Sequence, residues 1–203
     1  MKTIFKKLYR NLHWIIVIFL FLYTLIPILS PVLFHFGYYR SAWWIQTIYR
    51  FLCHQRPERS LFLFGEKISY SLNELEKLGY NTKVTGYPFV GNEYIGYKIA
   101  FCTRDTFIYG LMTITGFITN LSKKKISVKY WVVILLVLPM ILDGTIQFIS
   151  EFLYLGQDTF NLTVQHPFYL SNNLNRAITG GLFGTGIGLV IFPELKTATR
   201  EDY

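Results

Sequence analysis

Apolar residues in this chain gather into long blocks rather than alternating with polar ones. The first block runs over about residues 14–34, from Trp14 to Phe34. At ~1.5 Å per residue it is long enough to cross a hydrocarbon core of ~30 Å. Lys2, Lys6, Lys7 and Arg10 precede it. A signal peptide shares that basic start, but its apolar region is roughly 7–15 residues and ends at a small-residue cleavage site. Here the block ends Ile28-Leu29-Ser30-Pro31-Val32, so the reading is a retained anchor, with Pro27 and Pro31 expected to kink its distal end. Three more blocks, at about 106–121, 130–152 and 176–193, predict three further crossings. The second crossing is short and carries Gly110, Thr113, Thr115 and Gly116. The third contains Asp143 and Gln147. In the fourth, Gly180, Gly184 and Gly188 recur every fourth residue, which bares one helix face to a close neighbour.

The chain between the first two blocks is different. Over Trp43–Gln55, residues Trp44, Ile45, Ile48, Phe51 and Leu52 share one helical face, and Gln46, Arg50, Cys53 and His54 share the other. This predicts an interfacial helix with Trp43 and Trp44 at headgroup level. Pro57 disfavours helical geometry at Arg56 and is expected to end the helix there. Residues 65–97 are the least hydrophobic. Ser71-x-x-Glu74 forms a capping box ahead of Leu75–Leu78, Gly79 is a natural stop, and Gly91-Asn92 suits a hairpin turn between Tyr87–Val90 and Glu93–Ile95. The fold class is therefore an all-α membrane protein. It is a single domain over 1–203, with about four transmembrane helices, an interfacial amphipathic helix and a small external α/β insertion at 65–97.

Composition agrees. Hydrophobic residues make up 52%, aromatic residues 18% and charged residues 16%, against about a quarter charged in soluble domains. The formal net charge of +8 does not indicate nucleic acid, because the basic residues sit at the ends of apolar spans. The partner is the lipid bilayer of the cell membrane. With four crossings both termini share a side, and segments 1–11, 122–129 and 194–203 on that side hold ten of the twenty Lys+Arg against three acids. The positive-inside rule puts that side in the cytoplasm, and Cys53, the insertion and Cys102 outside.

Two polar knots carry the candidate chemistry: Cys53-His54-Gln55-Arg56-Pro57-Glu58-Arg59-Ser60, and Cys102-Thr103-Arg104-Asp105. Asp143 lies about 13 residues into its span, roughly 20 Å from the inner end, with Gln147 one turn further on the same face. A carboxylate at that depth is costly unless paired or hydrated, and marks function by default. Arg104 and Arg176 are its natural partners. The plainer reading is a buried ion pair that only fixes helix packing. Cys53 and Cys102 admit a structural disulfide, a metal site of Cys53, His54 and Cys102 with a further ligand, for a divalent ion such as zinc, or a redox pair, although no C-x-x-C element is present. Beside these arginines, His54 becomes a candidate for acid–base work. The rim of Arg50, Arg56, Arg59, Arg104 and Arg176 suits an anionic lipid or amphiphile, or equally headgroup anchoring. Gln55, Arg59 and Asp105 would line a substrate site. Asn161-Leu162-Thr163 matches the N-glycosylation pattern.

Cys53-His54-Gln55 with Pro57-Glu58-Arg59-Ser60, Phe64-Gly65, Cys102-x-Arg104, Ile108-Tyr109-x-Leu111, Asp143-Gly144-x-x-Gln147 and Arg176-x-x-Thr179-Gly180 resemble an uncharacterised family of prokaryotic membrane proteins, the domain-of-unknown-function family 2085. The resemblance spans roughly Phe51 to Leu189. The stretch from Gly65 to Cys102 is longer than the compact family pattern, and Asp105 stands where some members are expected to carry a second cysteine. The resemblance implies the membrane fold and the choice of site residues, and no activity. Three functions stand at this point. One is a membrane-embedded enzyme on an anionic amphiphile, with Arg104 and Arg176 orienting it and Asp143 or His54 handling protons. The second is a ligand- or ion-binding or transport component, with thiol-redox and metal-binding variants. The third is an assembly protein whose polar groups are all paired. The sequence decides neither between them nor the oligomeric state.

Overall fold

A computed structural model of the chain describes residues 8–80, 89–124, 126–155 and 167–201. Its elements are α1 (Leu12–His35), α2 (Tyr39–Arg50), a 3₁₀ turn (Pro57–Arg59), β1 (Phe62–Leu63), α3 (Leu72–Lys77), β2 (Gly91–Asn92), β3 (Gly96–Lys98), α4 (Thr103–Leu121), α5 (Tyr130–Leu155) and α6 (Asn173–Glu201). Three helices are long and apolar enough to cross a membrane: α1, α5 and α6 as far as Thr199. The remaining expected span, 106–121, lies within α4. That helix begins with Arg104 and Asp105 and carries five threonines, which lower its apolarity.

Helix α4 is packed against α1 and α6, with only Ile114, Ile118 and Leu121 exposed. It runs parallel to α6, and the glycine stripe is the reason the two approach so closely. A Cβ on Gly180, Gly184 or Gly188 would come within 2.7 Å of Arg104 O, 2.1 Å of Ile108 O and 2.9 Å of Thr115 Cβ. Helix α1 runs antiparallel to α4, with Val17 against Gly116 and Thr24 beside Gly110. Helix α5 runs antiparallel to α6, with Leu136 and Val137 against Gly186. It is built inside out: its buried residues are Asp143, Gln147 and Ser150, while Ile134, Leu135, Leu138, Ile141, Leu142 and Phe148 face outward.

The two prolines of α1 act through the carbonyls they release. Proline has no N–H to donate to the carbonyl four residues back. Pro27 thus frees Tyr23 O, which accepts from Tyr49 Oη at 2.9 Å. Pro31 frees Pro27 O, which accepts from Ala100 N at 3.2 Å. Helix α2 and the chain leaving β3 both dock on α1 through these acceptors.

Helix α2 starts at Tyr39 and stops at Arg50, earlier than the expected end at Arg56; Phe51 and Leu52 form a turn, and Pro57 instead opens the 3₁₀ turn. Its Gln46 is fully buried, whereas Trp44, Ile48 and Phe51 face outward. Gln46 Nε2 donates to Ser30 Oγ and Lys98 O, each at 2.9 Å. Gln55 Nε2 donates to Gln46 O and Ala100 O, also at 2.9 Å. The three strands form an antiparallel sheet in the order β1-β3-β2, with Phe62 opposite Lys98 and Gly91 opposite Tyr97. Gly91-Asn92 is itself β2, and the hairpin turn falls on Glu93–Ile95 instead. Asn92 Oδ1 accepts from the N–H groups of Tyr94 and Ile95, and Gly96 takes φ +83° to close the turn. The sheet is held to the bundle where Tyr97 stacks on Phe34, centroids 5.3 Å apart. The Ser71–Glu74 capping box forms as expected at the start of α3. The expected strand residues Tyr87 and Pro88, and the Asn161 pattern, lie outside the described residues.

Candidate functional site

Two polar clusters sit at the end of the bundle that carries the sheet. The first is centred on α5. Asp143 accepts from Arg104, from Tyr169 Oη at 2.5 Å, from Ser171 Oγ at 3.1 Å and from Thr179 Oγ1 at 3.4 Å. Arg176 does not reach Asp143 as its partner. Its Nη2 donates to Gln147 Oε1 at 2.6 Å and its Nε to Ser171 O at 2.9 Å. Gln147 Nε2 donates in turn to Glu151 Oε1 at 2.8 Å, and Glu151 pairs with Arg59. Arg56 bridges Glu58 at 3.2 Å and Glu151 at 3.8 Å.

The helices explain this convergence. Arg104 and Arg176 occupy the first turns of α4 and α6, where the helix dipole disfavours a cation, so both turn toward the acceptors on α5. Asp143, Gln147 and Glu151 recur every fourth residue and line one face. Four arginines (Arg56, Arg59, Arg104 and Arg176) thus meet three carboxylates (Glu58, Asp143 and Glu151). Asp143 accepts from four side chains, while the buried Arg104 Nε has no partner among the described residues. That engagement is what the packing reading expects of the carboxylate.

The second cluster is built on the cysteines. Cys53 follows the last turn of α2, its N–H donating to Tyr49 O at 2.9 Å. Cys102 is the N-cap of α4, its sulfur accepting from Asp105 N at 3.4 Å. Ligand atoms of Cys53, Cys102 and Asp105 all lie within 4.8 Å of one another. Both cysteines are half-buried free thiols. A hydrogen bond from Cys102 to Cys53 lowers the Cys53 pKa; the same bond, with burial, raises that of Cys102. Lys98 is wholly buried next to them. Burial pulls its ammonium down to about 7, while the charges of the two thiols work the other way. Its Nζ donates to Gln46 Oε1 at 3.3 Å and Ile99 O at 3.2 Å.

The sequence-derived candidates divide accordingly. Asp143, Arg104, Gln147 and Arg176 come together in the first cluster, with Arg59 at its edge. Cys53, Cys102 and Asp105 form the second, where Asp105 takes the position expected of His54. His54 is exposed and outside that cluster. Gln55 is buried, and its amide nitrogen is spent on backbone carbonyls. Arg50 is exposed on α2. Lys98, Gln46, Tyr169, Ser171 and Glu151 were not singled out. Glu151 carried a signal, being two helical turns beyond Asp143, and Lys98 carried none in its neighbours in sequence.

A bundle with three such apolar helices, one of them apolar outside and polar inside, is a membrane protein. A family model described as "Predicted membrane protein (DUF2085)" matches residues 93–190, which include Cys102, Arg104, Asp143, Gln147 and Arg176. The resemblance read from the sequence is to this family, and the matched stretch begins after the Cys53–Ser60 knot. An uncharacterized protein of Methanocaldococcus jannaschii is 29% identical over 150 residues, covering 70% of this chain and 76% of its own. No solved structure matches.

Proposed function

We propose that this chain is a four-span protein of the cell membrane whose working centre is the Cys53–Cys102 dithiol, exchanging electrons with a partner disulfide on the extracytoplasmic side. The observation that carries the reading is the meeting of two free thiols from segments 49 residues apart, with a hydrogen bond from Cys102 that lowers the Cys53 pKa. The thiolate is the attacking species in exchange. Cys53 attacks one sulfur of the partner disulfide, forming a mixed disulfide and releasing a partner thiolate. Cys102 then loses its proton and attacks Cys53, releasing the second partner thiolate. The products are a Cys53–Cys102 disulfide and a reduced partner. Lys98, where it carries its proton, favours the anionic sulfur, and the Asp105 carboxylate disfavours it. The Arg104–Asp143 and Arg176–Gln147 contacts hold the N-termini of α4 and α6, and so hold Cys102.

The test is thiol trapping in native membranes followed by non-reducing digestion and peptide mass measurement. A Cys53–Cys102 linked peptide should appear with a disulfide oxidant and vanish with a dithiol. Cys102→Ser should trap the mixed disulfide on Cys53, and Cys53→Ser should trap none. Thiols that stay unlinked under oxidant would sink the reading. The Asp105 carboxylate favours a second reading, a divalent metal such as zinc held by Cys53, Cys102 and Asp105 with one position open. One equivalent of metal in purified protein, lost in Asp105→Asn, would select it.

A further inference from the structure

The opposite end of the bundle holds a second candidate site, on other residues and independent of the thiol reading. A small cavity of about 70 Å³ lies between the C-terminus of α4 and the last turns of α6, lined by Thr119, Lys123, Lys124, Lys196 and Thr197. It shares Ile126 and Pro193 with a groove of about 730 Å³ between the start of α5 and α6, whose walls include Trp131, Val133, Leu189 and Val190. Pro193 has no N–H for the carbonyl of Leu189, a residue that lines this groove.

The surroundings of the small cavity are cationic. Lys196 Nζ donates to Thr119 O at 2.7 Å, Asn120 O at 3.1 Å and Ser122 O at 2.6 Å, capping α4 and bringing its charge to the cavity. Lys123 and Lys124 are exposed at its mouth, and Lys129 lines the groove, against one acid there, Glu194. A soluble phosphate would not need the groove. Its apolar walls and the exposed Tyr130 and Trp131 suit an acyl chain and a bilayer interface.

We infer that this paired cavity and groove seats one anionic glycerophospholipid, its phosphodiester against Lys123 and Lys124 and one acyl chain between α5 and α6. Basic pockets between membrane helices bind such headgroups. The experiment is native mass spectrometry of the full chain with phosphatidylglycerol and phosphatidylcholine of equal chain length. One phosphatidylglycerol should be retained in preference. The preference should fall about fivefold for each lysine replaced in Lys123→Gln and Lys124→Gln. Lys67→Gln, at the other end of the molecule, should change nothing. Equal retention of the two lipids, or a preference that survives the double lysine variant, overturns the assignment. So does stabilisation by inorganic phosphate alone, without lipid preference, which would make the site one for a soluble anion.

Discussion

Lys98 is fully buried with two hydrogen-bond acceptors, and no carboxylate among the described residues pairs with it. Its folded-state pKa is lowered from 10.5 to about 7, so between those values the unfolded chain binds more protons than the folded one. Stability must then rise with pH across that window, by at most about 1.4 kcal/mol per pH unit for one proton. Thermal unfolding in detergent should show that rise, and Lys98→Met should flatten it. A wild-type profile with the same slope as Lys98→Met from pH 7 to 9.5 would show that Lys98 is not neutralised by burial. Asp143 presents the opposite case, a charge fully compensated. Asp143→Asn leaves the Arg104 guanidinium buried without its counter-ion and should destabilise by about 3–5 kcal/mol. Coupling the change with Arg104→Met should recover much of that loss, which a double-mutant cycle measures directly. The charged members of both clusters were legible in the sequence because charge in an apolar context is conspicuous. Their pairings were not. Whether Arg176 meets Asp143 or Gln147 depends on helix rotation, and Asp105 rather than His54 joins the thiols because Cys102 caps α4.

At the scale of elements, the α4–α6 contact has the least tolerance. Gly184 lies against the Ile108 carbonyl, where an added Cβ would come within 2.1 Å of backbone. Gly184→Val should force the helices apart and remove most folded protein, read by fluorescence-detected size exclusion. Gly37 has open space around it, and only its φ of +80° argues for glycine. Gly37→Ala should therefore cost about 1 kcal/mol. The four-residue glycine period announced a close helix contact, and the Ser-x-x-Glu period announced the start of α3. The end of α2 and the hairpin turn were misjudged for a common reason. Both are set by long-range partners: Gln55 reaching Gln46 and Ala100, and the strand pairing of Gly91 with Tyr97.

For the molecule as a whole, the open question is whether α4 crosses the bilayer. By apolarity alone α4 falls short of α1, α5 and α6. Yet its glycine-mediated contact with α6 extends from Arg104 to Thr115, and Lys196 caps its far end. Packing along its length against α6 supports the four-span reading, and the threonines of α4 bond to carbonyls within their own helix, as Thr113 does to Tyr109 and Thr115 to Leu111. That arrangement satisfies their hydroxyls without water. Lys67 lies between α1 and α4, and Lys124 between α4 and α5. If α4 crosses, the two lie on opposite sides; if it does not, they share one. In a Cys53→Ser/Cys102→Ser background, which removes both native cysteines, an impermeant maleimide on intact cells should label Lys67→Cys and spare Lys124→Cys until the membrane is opened. Labelling of both from outside would leave three spans, put the termini on opposite sides, and remove the charge-balance argument for an external dithiol.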